Sequence, residues 1–162
     1  MKSPRWVKRA RVVLRTFLCL LFLGGGISHF ILGQISAADY STFGRTALFG
    51  WLSDLWVDFV MPNISLLTVL LGFFEISLAI GLALTGRRQR LTVVVMMGFY
   101  AFLVVLGSGW ETASAGEDFL KNRLPQLLLA VATLPFLLVP DRRTLWRTWW
   151  TNRSSHRRAD SG

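Results

Sequence analysis

The sequence predicts an all-α integral membrane protein, a four-transmembrane-helix bundle with a short amphipathic helix in the first external loop. Three observations predict it. Four stretches, 12–32, 64–84, 91–110 and 118–139, are apolar and near the length that a helix needs to cross a hydrocarbon core of ~30 Å, about 20 residues. The basic residues between them sort to one side. The few polar residues inside them fall into layers. A composition of 52% hydrophobic residues with 7 Trp and 12 Phe, beside a formal charge of +9, is rare in a soluble domain.

The basic tail, residues 1–11, leads into helix 1, and Lys2, Arg5, Lys8, Arg9, Arg11 and Arg15 mark that end. The segment resembles a signal peptide, with small residues at Ser36–Asp39, but its apolar length suits a retained membrane helix, and retention is expected. The first external loop, about 34–62, is too long for a turn. Within it Leu48, Leu52, Leu55, Trp56 and Phe59 recur at helical spacing opposite Ser53, Asp54 and Asp58, as in a surface helix or a lid over the bundle. Pro62 suits the start of helix 2, where its missing N–H costs nothing. The loop "RRQR" then carries Arg87, Arg88 and Arg90, and helix 3 follows. Helix 4 is short as the apolar run 124–139 alone, so its start is placed near Asp118. The tail 140–162 mixes Trp146, Trp149 and Trp150 with arginines, as an interfacial anchor does, and is expected to lose order after about Asn152.

Of the 18 Lys and Arg, 15 lie on the side of the tails and the "RRQR" loop; Arg45, Lys121 and Arg123 lie on the other side with six acidic residues. The positive-inside rule then puts both termini in the cytoplasm. The basic residues flank apolar segments and accompany no nucleic-acid motif, so anionic lipid at the cytoplasmic face is the expected partner and nucleic acid is not.

Depths follow from a rise of 1.5 Å per residue, with Gly33, Asn63, Trp110 and Asn122 taken as outer-surface marks. His29, Thr68, Gln126 and Ser108 fall within ~8 Å of that surface. Glu75, Tyr100 and Thr133 form a middle layer near ~15–18 Å, and the inner half offers little polar beyond Cys19. Ser65, Thr68, Gly72, Glu75 and Ala79 share one face of helix 2. Cys19, Gly26, His29 and Gly33 share one of helix 1, and two small-residue faces of this kind are expected to meet. Glycines 24–26 give helix 1 a place to bend. No Lys or Arg shares the level of Glu75, so a neutral carboxyl is expected there, donating to Tyr100, Thr133 or a loosened carbonyl near Gly24–Gly26. His29, ~12 Å away along the axis, is expected out of contact, with the gap beside Thr68 and Gly72 open to water or a ligand.

A carboxylate in the middle of a membrane segment is costly and marks a functional candidate. The candidates for a ligand-binding or buried polar site are Glu75, His29, Tyr100, Thr68, Thr133, Gln126, Gly72 and Gly26. With one cysteine and one intramembrane histidine, ligands are too few for a metal site, and no nucleophile with its base and no phosphate loop is recognisable. The lone Cys19 also excludes a dithiol mechanism.

"RTFLCLLFLGGGISHF" resembles the first helix of the DoxX family, with an arginine at its cytoplasmic start and small residues before a His-Phe pair. "GFFEISLAIGLAL" resembles that family's second helix, where a glutamate sits between glycines. The resemblance spans about residues 11–139. It implies a four-helix bacterial inner-membrane protein whose relatives include small subunits linked to thiosulfate oxidation with quinone and members of thiol-redox complexes. Two functions are then expected as alternatives. One is a membrane subunit or partner of an oxidoreductase system, holding no cofactor of its own but binding a quinone or another small amphipathic ligand in the outer half of the bundle. The other is a non-catalytic scaffold whose buried acid locks helix packing. Oligomeric state is left open, a homo-oligomer included.

Overall fold

A computed structural model describes residues 4–139, 141 and 144–148; the expected anchor residues Trp149 and Trp150 and the tail beyond Asn152 lie outside the described residues. Among the described residues the protein is helical without strands. Its helices are α1 (Arg5–Ile35), α2 (Ser41–Arg45), α3 (Gly50–Leu55), α4 (Ile64–Ala83), α5 (Gly86–Leu106), α6 (Ala115–Asp118) and α7 (Leu124–Leu138). Three helical stretches, Trp6–Ile35, Gly50–Ala83 and Gly86–Leu106, are long and apolar enough to cross a membrane.

The order of contacts is antiparallel throughout: α1 packs on α4, α4 on α5, and α5 on α7. Small residues make the α1–α4 crossing tight. A methyl group on Gly26 would stand 2.7 Å from the Gly72 carbonyl oxygen, and one on Gly72 would stand 2.8 Å from the Gly26 oxygen. Such an approach is the packing that apolar helices use where lipid gives no hydrophobic drive for association. The core lies farther toward the α1 N-terminus, where Leu18, Leu82, Val93, Met96 and Phe136 are fully buried.

Several expected boundaries move. Helix 1 is longer, because the basic residues before position 12 continue its first turns, and it runs without a break through Gly24–Gly26. Pro62 does not open a new helix. The chain is helical from Gly50 to Ala83, passing Pro62 through a π-helical turn (Trp56–Val60) and a 3-10 turn (Met61–Asn63). These turns rearrange the backbone bonds around the missing proline N–H. "RRQR" is not a loop but the first turn of α5, entered through Gly86 at φ +62°, a left-handed conformation that favours glycine. At its other end α5 stops at Leu106, short of Trp110, where Gly107 turns the chain out at φ +91°.

Buried polar clusters tie both ends of the bundle. At the end bearing the α1 N-terminus, Arg15 is 2% exposed. Its Nε donates to the Leu82 carbonyl at 2.8 Å, another nitrogen donates to Leu84 O, and Nη1 pairs with Asp141 at 3.1 Å. Arg11 pairs with Asp141 at 2.8 Å and donates to the carbonyls of Pro135 and Val139. Gln89 accepts from the Asp141 N–H at 2.7 Å. The open carbonyls ending α4 and α7 thus find donors, as buried helix ends require. Arg15 and Gln89 also correct the expectation of an inner half with little polar beyond Cys19.

At the opposite end Asn122 accepts from the N–H groups of Ser108 and Trp110 and donates to Asp118 and Trp110 O. Arg123 pairs with Asp118 at 3.2 Å and donates to the carbonyls of Val104, Val105 and Thr46. Residues 37–49 therefore lie across this end as a lid. The Leu48 N–H donates to Val105 O at 2.9 Å, and the Thr46 hydroxyl donates to Leu106 O. The stretch read as a surface helix or a lid, about 46–60, divides: Leu52 is buried, whereas Leu48, Phe49, Trp51, Leu55 and Phe59 are exposed.

Candidate functional site

α1 and α4 bring His29 and Glu75 together beneath the lid. His29 Nε2 lies 3.7 Å from Glu75 Oε1, which corrects the expected gap of ~12 Å. The error is one of register. Gly33 and Asn63 are not level: a methyl group on Gly33 would strike the Thr68 hydroxyl, and Gly25 rather than a deeper residue faces Glu75. Glu75 thus sits about four residues, ~6 Å, from His29 along α1, and two side chains cover that distance.

Glu75 is 8% exposed. A methyl group on Gly25 would stand 2.5 Å from Glu75 Oε2, so this glycine makes the room that the carboxylate occupies. Oε2 itself is buried without a hydrogen-bond partner. Glu75 does not donate to Tyr100, Thr133 or a carbonyl of Gly24–Gly26 as expected, since α1 is unbroken there and each carbonyl remains in its helix. Nor is the space beside Thr68 and Gly72 open. Thr68 bonds to its own helix at Ile64 O, and a methyl group on Gly72 would meet the Phe30 ring.

The lid supplies a third group. The Tyr40 hydroxyl and His29 Nδ1 are 2.7 Å apart. Tyr40 is held in place by Trp56 Nε1, which donates to its carbonyl at 2.8 Å, and by Phe43, whose ring stacks on it at 5.9 Å. Burial, and then the nearby Glu75 carboxylate, push the Tyr40 phenol above its ordinary value, so it stays protonated and able to donate. If Tyr40 donates to Nδ1, the neutral ring carries its hydrogen on Nε2, the nitrogen that faces Glu75. Tyrosine, histidine and glutamate then follow one another from the lid into the bundle, the first pair hydrogen-bonded and the second at ion-pair distance, 3.7 Å, so that a small approach of His29 to Glu75 would complete a proton path.

The remaining candidates divide. Tyr100 and Thr133 are neighbours inside the bundle at the Glu75 level; Thr133 donates to Leu129 O, while the buried Tyr100 hydroxyl has no well-formed bond. Gln126 donates to the Ser108 hydroxyl at 2.7 Å and belongs to the cluster around Asn122, away from Glu75. Gly26 and Gly72 set the helix crossing and touch no polar side chain. Sequence reasoning missed Tyr40, although an aromatic in a loop that must fold back over the end of helix 1 was a usable signal. It also missed Asn122, Arg123 and Asp141, which read as ordinary loop polarity. No protein-family model, curated protein or solved structure matches the chain.

Proposed function

We propose that the protein is a DoxX-like, four-crossing protein of a bacterial inner membrane, with both termini cytoplasmic, acting as a small membrane subunit or partner of a quinone- or thiol-linked oxidoreductase system. The observation that carries the reading is the His29–Glu75 contact beneath Tyr40, with Glu75 Oε2 buried and unpartnered. Two ionisable groups side by side within apolar helices are expensive to keep and typical of sites that bind polar ligands or move protons. A small amphipathic ligand with a hydroxyl or carbonyl head fits this chemistry. Its head would bond to the Glu75 carboxylate or the His29 ring, and its apolar tail would leave between lipid-facing side chains.

The way α7 is tied supports a fourth crossing. α7 alone has 15 residues, ~22 Å, short of a bilayer core. The helical turns from Ala115 onward extend it, and its ends are bonded to opposite ends of the bundle: Asn122 and Arg123 to the end of α5, Asp141 to Arg11 and Arg15. If α1 and α5 cross, α7 crosses with them. Any thiol redox chemistry in the system would be a partner's, because Cys19 is alone.

Purification in mild detergent, followed by extraction of bound quinone and identification of co-purifying proteins, tests the reading. Wild type is expected to carry both, and Glu75→Gln to lose the quinone while folding normally. Absence of both from the wild-type preparation would sink it. The scaffold reading is favoured by one observation, the fit of the carboxylate against Gly25 in the tight helix crossing. It predicts that Glu75→Gln behaves as wild type and that Glu75→Leu fails to fold.

A further inference from the structure

We infer that Glu75 exchanges protons with the lid face of the membrane only, through His29 and Tyr40, and is sealed from the opposite face. The inference rests on the membrane-crossing reading above but on no particular ligand. Tyr40 OH to His29 Nδ1 is 2.7 Å, and His29 Nε2 to Glu75 Oε1 is 3.7 Å, so one histidine separates the lid from the carboxylate. The His29 side chain is 21% exposed and that of Glu75 10%. The groups facing Glu75 from the packed elements are His29 on α1, Tyr40 in the lid and Tyr100 on α5.

On the other side the path ends. From Gly25, level with Glu75, to Arg15 is ten residues of α1, ~15 Å. That interval is filled by the fully buried Leu18, Leu82, Val93, Met96 and Phe136. Its one titratable group on α1 is Cys19, whose thiol donates to the Ala79 carbonyl at 3.5 Å. Arg15 itself is bonded to Leu82 O and Asp141.

The transfer balances. A proton from the lid face reaches Tyr40, which is 7% exposed, and the Tyr40 proton moves to His29 Nδ1. Once the two side chains close from 3.7 Å to hydrogen-bond distance, the ring releases its Nε2 proton to Glu75 Oε1. Glu75 is then neutral and donates back to Nε2, and the Nδ1–H donates to the Tyr40 oxygen; reversal restores the first state. A ligand at Glu75 therefore draws its protons from, or returns them to, the lid side.

The test uses the full chain, uniformly oriented in proteoliposomes, with a rapid pH jump imposed on one face while carboxyl C=O infrared absorption is followed. The Glu75 band is the one absent from E75Q. It is expected to respond at once to a jump at the lid face, and to a jump at the opposite face only as the lid-face pH itself equilibrates. H29F is expected to slow the lid-face response about 10²-fold, the scale of a positioned proton-transfer group. Y40F, which keeps ring and packing, should slow it less, and it serves alone if H29F does not fold. An equally fast response from the opposite face, unchanged rates in the variants, or no titrating Glu75 band overturns the inference. If sidedness holds while no quinone co-purifies, only the ligand reading falls.

Discussion

Gly25 and Glu75 show how one missing methyl group sets a site. Gly25→Ala would place a Cβ 2.5 Å from Oε2. The carboxylate must then turn away, and we expect the fold to survive with the His29–Glu75 contact broken; loss of the Glu75-dependent shift in the His29 ring 15N signal measures this. Arg15 carries a heavier role. Removing it leaves Asp141 short of a partner and the Leu82 and Leu84 carbonyls without their guanidinium donor in a buried place. Asp141 keeps Arg11 at 2.8 Å, but each buried carbonyl left without its donor costs about 1–3 kcal/mol, so Arg15→Ala should lower the detergent-titration midpoint and Arg15→Lys should recover little, lacking the planar fork. Glu75 and His29 stood out in the sequence because they interrupt apolar runs. Their contact did not, because depth counted from assumed surface marks carries an error of several residues. Arg15 was legible only as charge near a helix start, since nothing local tells a snorkelling arginine from one turned inward onto helix ends.

Between elements, the meeting of α1 with α4 was readable from phase alone: glycines and small residues at spacings of three and four mark a face, and two such faces in lipid pack closely. Register was not readable, because it depends on which glycine faces which carbonyl. Gly26→Val tests the crossing. Its side chain would collide with the Gly72 carbonyl and with Ile76 2.8 Å away, and backbone cannot step aside cheaply. A loss of about 1–3 kcal/mol is expected, as for overpacking elsewhere, while Gly24→Val, at a glycine with open space around it, should change little. Thermal melts of the two variants in one detergent make the comparison. The lid has a pH limit of its own. Tyr40 holds its proton more tightly in the fold than in the unfolded chain, because burial and Glu75 disfavour the phenolate. Its contribution is thus complete below the ordinary tyrosine range and is lost as pH rises through the raised value. Alkaline titration should release the lid, seen as faster proteolysis in residues 37–49, and Tyr40→Phe should remove that alkaline step.

For the whole molecule, topology joins what the sequence says about charge to what the structure says about the polar clusters at the two ends of the bundle. Charge alone places 15 of the 18 basic residues on one side. Independently, the cluster of Arg11, Arg15, Gln89 and Asp141 gathers the start of α1, the start of α5 and the residues after α7 at one end. Asn122, Arg123, Ser108 and Thr46 gather the end of α5, the approach to α7 and the lid at the other. Among the described residues the two divisions agree: Arg11, Arg15, Arg87, Arg88 and Arg90 lie at the end that carries the start of α1 and Asp141. Exposed Arg87, Arg88 and Arg90 in the first turn of α5 add to that side, while Arg123, at the far end, is turned inward and pairs with Asp118, so it contributes little net charge to that end. If α1 and α5 cross, α7 could stay on one surface only by tearing one of the clusters. We therefore expect four crossings, with reporter fusions at residue 40 and at the C-terminus on opposite sides of the membrane. Reporters on the same side would mean that α7 does not cross, and that the bonds of Asp141 to Arg11 and Arg15 do not form in the bilayer.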